Sequence, residues 1–161
     1  MVEADAVSVT ATWVVRRAQA GDARPWAALR EVLWPEEDPS RHLDDAADIL
    51  GRPERAVAFL AFDERGAAIG FAEATLRSDY VNGTESSPVG FLEGWYVAPD
   101  KRGTGIGRAL VTAVERWTQQ RGCAELGSDA LLDNVDSHLA HAACGFEETE
   151  RVVYFRKRLQ D

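Results

Sequence analysis

The chain has 161 residues, 45% of them hydrophobic, 28% charged and 9% aromatic, a globular composition with enough chain to bury a core without staples. Its 18 Lys and Arg stand against 27 Asp and Glu, a formal charge of −9, which argues against a nucleic-acid binder and permits cationic small molecules. Two cysteines, with no CxxC or Cys/His cluster, exclude a disulfide framework and a zinc site. Met1–Thr10 carries Glu3 and Asp5 without a basic or apolar run, so no signal peptide is expected, and no apolar stretch is long enough to span a membrane. The expectation is one domain over residues 1–161, soluble and cytoplasmic, with no metal.

The elements follow in chain order. Trp13–Arg17 reads as a strand. Asp22 predicts the N-cap of a helix through Trp34, with Pro25 in its first turn and Trp26, Leu29, Val32 and Leu33 as its apolar stripe. Pro35 and Pro39 end it. Ser40 predicts the start of a second helix through Leu50, stopped by Gly51 and Pro53. Ala56–Phe62 and Ala67–Leu76, joined by Asp63-Glu64-Arg65-Gly66, read as a hairpin. Ser78–Pro88 is a polar loop containing Asn82-Gly83. Phe91–Val97 is strongly β-prone, Pro99–Gly103 is a turn, and Gly105–Arg121 is a helix closed by Gly122. Cys123–Ser128 reads as a strand, Asn134–Ala143 as a helix stopped at Gly145, and Arg151–Leu159 as a last strand. The order βααβββαβαβ predicts an α+β domain.

The charge is unevenly placed. Glu31–Glu64 holds ten acids and three bases, and Gly122–Glu150 holds seven acids and no Lys or Arg. Lys101–Arg121 holds five bases and one acid. That basic island coincides with a strand, a glycine turn and a helix: Tyr96-Val97-Ala98-Pro99-Asp100-Lys101, then Arg102-Gly103-Thr104-Gly105-Ile106-Gly107-Arg108. Bare backbone N–H groups at a helix start, with the positive end of its dipole, suit a phosphate, and Arg102 and Arg108 add charge. The alternative is a turn that packs closely on its strand. The Lys-Ser/Thr ending of a P-loop is absent, and a dinucleotide fold would place such a turn near its first strand.

Arg102-Gly103-Thr104-Gly105-Ile106-Gly107 resembles the signature of the GNAT N-acetyltransferases, as does Asn134, Ser137, His141 and Gly145-Phe146 downstream. The resemblance covers nearly the whole chain in element order. It narrows on Tyr80-Val81-Asn82-Gly83-Thr84-Glu85, on Ser87 to Gly94, on Ser128-Asp129 with Asp133-Asn134, and on Gly145 to Glu148 with Val152 to Lys157. These runs resemble the aminoglycoside 6'-N-acetyltransferases. The resemblance implies a mostly antiparallel mixed sheet, splayed between Phe91–Val97 and Cys123–Ser128, with helices on both faces. It implies acetyl-CoA as cosubstrate, held by Tyr96, Val97, Arg102, Gly103, Thr104, Gly105, Ile106, Gly107, Asn134 and Ser137. It also implies an aminoglycoside as acceptor and favours a homodimer, the last strand either completing its own sheet or exchanging. Other readings are acetylation of another polyamine or a peptide amine, and a non-catalytic acetyl-CoA sensor. His141 stands where the superfamily usually has Tyr.

Acetyl transfer to an ammonium group needs a base, a stabilised oxyanion and a proton for the departing thiolate. Asp129, after a strand end, is the candidate base, with turn or helix capping as the alternative. A backbone N–H near Val97 is the candidate oxyanion donor. His141 is the candidate acid or else an ordinary polar helix position. Asn134 either bonds the cosubstrate or caps its helix. Glu73 and Glu93 are lone carboxylates in apolar strands, so each faces a cleft or meets an arginine such as Arg77. Asp79, Tyr80 and Glu85 on the loop, and Trp34 and His42 in the helical lid, complete the expected acceptor site, Trp34 being equally suited to the core. Cys123 and Cys144 read as small buried hydrophobes, so direct transfer in a ternary complex is expected.

Overall fold

In the computed structural model the structure describes residues 12–160; the reading of Met1–Thr10 lies outside them. Among the described residues five strands form one sheet in the order β1-β2-β3-β4-β5: β1 Trp13–Arg17, β2 Ala56–Asp63, β3 Ala68–Arg77, β4 Val89–Val97 and β5 Leu126–Ser128. The first four pair antiparallel, and β5 runs parallel to β4. Helices α1 Ala23–Leu33 and α2 Pro39–Leu50 cover one face, and α3 Ile106–Gln120 covers the other. Helix α4, Val135–Ala143, follows β5.

Strand alternation divides the core. Ala72, Ala74 and Leu92 face α3, where Ile106, Leu110, Val114 and Trp117 recur at helical spacing. Ala58, Leu60 and Phe71 face the lid helices and pack on Trp26 and Ala46. Trp26 is completely buried and Val32 is exposed, so the α1 stripe runs through Trp26, Ala27 and Arg30 and leaves Val32 outside.

The helix starts differ from the expectation in a physically simple way. Asp38, two residues before Ser40, caps α2: its Oδ1 accepts the Ser40 N–H at 2.9 Å, with Pro39 at the first helical position. Asp22 makes no side-chain cap to α1. Its carboxylate accepts the Gln19 N–H at 2.8 Å and pairs with Arg16 at 2.7 Å.

The chain end is the larger correction. Arg151–Leu159 pairs with no strand among the described residues; residues 151–160 form no helix or strand and are exposed. The order is therefore βααβββαβα. Apolar alternation alone marks a β-prone segment, and a strand needs an edge within reach to become one. No described helix is long and apolar enough to cross a membrane.

Candidate active site

The sheet opens between β4 and β5. The parallel pair runs Gly90 with Leu126, Phe91 with Gly127 and Leu92 with Ser128, then stops. Strand β4 continues to Val97 while the chain turns away at Asp129. The β3–β4 register shifts between Glu73, opposite Gly94, and Ala74, opposite Leu92. Glu93 is thus the extra residue of a bulge, a device that locally frees backbone groups and re-aims a side chain. Near Val97, where the oxyanion donor is expected, the Ala98 N–H is bonded to the Ile69 carbonyl at 2.8 Å. Glu93 and Asp129 directly follow the last paired residues, so two carboxylates flank the mouth of the fork.

Beyond β4 the chain makes the glycine turn. Gly103 and Gly105 hold φ of +77° and +91°, conformations that a side chain would strain. A Cβ on Gly103 would meet nothing within 4 Å, so this backbone faces open space. Thr104 donates to the Lys101 carbonyl at 2.7 Å, and Arg102 donates through Nε to the Val97 carbonyl at 2.9 Å, which leaves the rest of its guanidinium outward. Trp95 donates to the Gly107 carbonyl at 3.2 Å and lies against that glycine, so Gly107 serves strand–helix packing. Ile106 is buried in the core, and only its backbone reaches the turn. Tyr96 lies on the lid face beside Phe71. Val97 packs on the α3 side. Arg108 donates to the Ala143 carbonyl, at the C-terminal end of α4. The open, positively flanked start of α3 suits a pyrophosphate.

On α4, Asn134 accepts the Ser137 N–H at 3.2 Å and caps the helix. His141 projects to the fork: Nε2 lies 2.7 Å from the Ser128 hydroxyl, and Nδ1 lies 2.7 Å from the Ser137 carbonyl. Trp95 and Phe146 meet the imidazole edge-on, at 5.3 and 5.1 Å. Asp129 is exposed and makes no ion pair among the described residues.

The acceptor-side candidates divide. Glu93 accepts from Thr75 at 2.6 Å and pairs with Arg77 at 2.8 Å, while Arg77 stacks on Phe91. Glu73 does not face the open cleft. It is buried and receives Arg30 on both oxygens and the Trp26 indole at 2.8 Å. Burial pushes its carboxyl up, against the pull of Arg30 and of Trp26. His42 is likewise fully buried, accepting from Arg30 Nε at 3.4 Å, and belongs to the lid's interior. Trp34 is half-buried over Gly94, with Phe71 at 5.9 Å and the Arg30 guanidinium 4.7 Å from its ring. Asp79, Tyr80 and Glu85 stand on the exposed loop. That loop is tied down by Val81 against Val89 and Phe91, and by the Glu85 N–H donating to Glu125 at 2.9 Å. Cys123 is buried, and burial pushes the half-buried Cys144 thiol up.

Sequence reasoning missed Arg30 and Ser128. Arg30 stands one turn after Trp26 on the apolar stripe, and a cation in that register marks a buried ion pair. Ser128 gave no signal besides its place before Asp129. Among the described residues no three His, Cys, Asp or Glu side chains gather as a metal site.

A forked parallel strand pair beside an anion-accepting helix start is the architecture of an acyl-CoA-dependent acyltransferase. The profile of the acetyltransferase (GNAT) family matches residues 24–146, and the chain belongs to that family. It is 56% identical over 146 residues, 91% of this chain and 94% of the relative, to an aminoglycoside N(6')-acetyltransferase type 1 of Stenotrophomonas maltophilia. To the protein of the same name from Serratia marcescens it is 50% identical, over 83% of this chain and 91% of that one. Among solved structures it resembles AAC(6')-Iy bound to the bisubstrate analogue CoA-S-monomethyl-acetylneamine, with TM-score 0.86 and 44% identity over 91% of this chain and 99% of that one. It also resembles AAC(6')-Ih of Acinetobacter baumannii, with TM-score 0.86 and 42% identity over 92% and 99% of the two chains.

Proposed function

We propose that this chain is an aminoglycoside 6'-N-acetyltransferase that uses acetyl-CoA and acts by direct transfer in a ternary complex. The observation that carries the reading is the shared identity, 56% over nearly the full length of a curated 6'-acetyltransferase. The fork geometry is compatible with it at each step. The turn from Arg102 to Gly107 offers N–H groups and a guanidinium to the pyrophosphate. The pantetheine arm would enter between β4 and β5, where pairing stops after Leu92 and Ser128. The bulge at Glu93 supplies backbone donors where the thioester oxygen becomes negative.

An aminoglycoside arrives as a polycation. Glu93, Asp129 and the loop acids Asp79 and Glu85 would hold its ammonium groups, with Tyr80 and Trp34 against the sugar faces. Asp129, exposed and free of an ion pair among the described residues, would take the 6' proton directly or through one water. Acetylation then removes that charge from the drug.

The active species in this reading is a cytoplasmic homodimer. The C-terminal tail carries Tyr154 at 81% and Phe155 at 91% exposure, and among the described residues β5 has no outer neighbour in the sheet. A strand donated to the β5 edge of a second copy would cover both.

The test is thiol release from acetyl-CoA over an amine panel. Kanamycin-type substrates bearing a 6'-amine should react, and analogues with a 6'-hydroxyl should not. Equal turnover of the two would refute the regiochemistry. Turnover of simple polyamines alone would move the chain to another amine substrate.

A further inference from the structure

We infer that Ser128, backed by His141, is the group that moves a proton onto the departing thiolate. The inference rests on the proposed acetyl transfer and assigns a residue to its last step. The tautomer is set by the helix. A carbonyl only accepts, so the 2.7 Å contact with the Ser137 carbonyl places a hydrogen on His141 Nδ1. Nε2 is then bare in the neutral ring and accepts the Ser128 O–H at 2.7 Å. When the ring is charged, Nε2 donates to the same oxygen. The pair passes between the two proton arrangements without moving a heavy atom. The Ser137 hydroxyl, 3.3 Å from Nδ1, adds a further contact on the same side.

Packing fixes this geometry. The imidazole is edge-on to Trp95 and to Phe146, and Trp95 is itself pinned to the Gly107 carbonyl at the glycine turn. The cosubstrate turn and the His141 ring therefore share one indole. Ser128 is the last residue of β5 paired with β4, so its hydroxyl stands where the strands part. His141 stands behind it on α4 and acts through it.

The proton count closes with one proton released to water. The ammonium first loses that proton to the exposed Asp129, which passes it to solvent. The free amine's electron pair forms the C–N bond, and the carbonyl pair moves to oxygen. The adduct nitrogen still carries one proton too many. It passes to Ser128 Oγ as the hydroxyl's own hydrogen moves to His141 Nε2. As the C=O re-forms, the C–S bond breaks and sulfur leaves with the electron pair. Ser128 gives its hydrogen to sulfur and regains one from Nε2. One proton has moved from nitrogen to sulfur, and both side chains end unchanged.

The experiment compares wild type, Ser128→Ala and Ser128→Thr in single turnover with a 6'-amine aminoglycoside. Acetyl-CoA is run beside its selenoester analogue, whose selenolate is a far weaker base and departs without a proton. Ser128→Ala should bind acetyl-CoA normally by calorimetry and lose about 100-fold in rate with the thioester. It should lose distinctly less with the selenoester, where only proton loss from the adduct nitrogen still draws on Ser128, and Ser128→Thr should keep most of the thioester rate. An equal loss on both donors would overturn the assignment, because misplacement slows both. An unchanged rate would overturn it as well. Acetyl retained on a Ser128 peptide after an acid quench would replace it with a covalent route. A wild type that binds acetyl-CoA but acetylates no aminoglycoside would instead overturn the proposed function.

Discussion

Arg30 on α1 meets Glu73 on β3 through both carboxylate oxygens, in a site where the two side chains are each only 5% exposed. The same guanidinium reaches Asp45 at 2.7 Å and His42 at 3.4 Å, both on α2. One cation thus joins both lid helices to the sheet. Removing one partner leaves the other charge buried and alone, at a cost of about 3–5 kcal/mol. Glu73→Gln and Arg30→Met should each lower stability by that amount, read as the denaturant midpoint. Arg30→Lys should fail to restore it, because an ammonium cannot serve Glu73, Asp45 and His42 in one plane. An apolar Arg30→Met, Glu73→Leu pair should recover most of the loss. Single variants as stable as wild type would show that the network carries little.

Gly94 makes a second prediction. A Cβ there would overlap the ring of Trp34, so Gly94→Ala must push the indole out of its seat between Phe71 and Arg30. Overpacking of this kind costs about 1–3 kcal/mol. The aminoglycoside KM should rise while acetyl-CoA affinity holds, and tryptophan fluorescence should change. Combining the change with Trp34→Ala should give less than the sum of the two effects, since both act on one contact. Additive effects would separate Gly94 from Trp34.

The strands and helices up to β5 were legible because periodicity and glycine placement act locally. The glycine turn was legible for the same reason. Two kinds of feature were not. Glu73 was recognisable as a carboxylate needing a partner, but the partner is Arg30, on another element and far away in sequence. Pairing across the core depends on how α1 lies on the sheet, and no spacing encodes that. The Arg151–Leu159 alternation is a real β signal, yet whether it becomes a strand depends on pairing with a sheet edge, and among the described residues it pairs with none. The GNAT membership was carried by sequence motifs. The position of Ser128 against His141 emerged only with the register of β5 and the pitch of α4.

Asp129 directly follows the β5 terminus and forms no ion pair among the described residues, so its carboxylate is available to a ligand. Asp129→Asn keeps the shape and removes the proposed base. Turnover should drop by roughly 10²–10⁴-fold, while acetyl-CoA binding and folding stay near wild type. Steady-state kinetics with calorimetry decides this. Undiminished kcat would reject Asp129 as base and leave Glu93, across the fork, as the nearest carboxylate by register.

The tail gives a prediction on assembly. Val153, Tyr154 and Phe155 are exposed, as are Leu131, Leu132, Val135 and Leu139 on and before α4. Exposed apolar groups this numerous call for a covering surface. If the proposed dimer forms, truncation after Glu150, or Phe155→Asp with Val153→Asp, should leave monomers by light scattering and lower the unfolding midpoint. A wild type that is monomeric at micromolar concentration would refute the strand-donating dimer.

Asp22 yields the acid-range prediction. Hydrogen bonding from Arg16, together with the Gln19 N–H and the Arg16 charge, holds its carboxyl below the usual carboxylate range. A lowered folded value means that the ionised form is favoured by folding. The contribution is therefore present above about pH 4, the unfolded carboxylate value, and is lost as pH falls through the folded one. Arg16 is 43% exposed on its side chain, and solvent screening limits the pair to about 1 kcal/mol. Asp22→Asn should be less stable than wild type by about that much near neutrality, and the gap should close as pH falls below about 4. Urea unfolding of both proteins across pH measures it; a gap that stays constant into acid would mean that Asp22 stabilises by shape and not by charge.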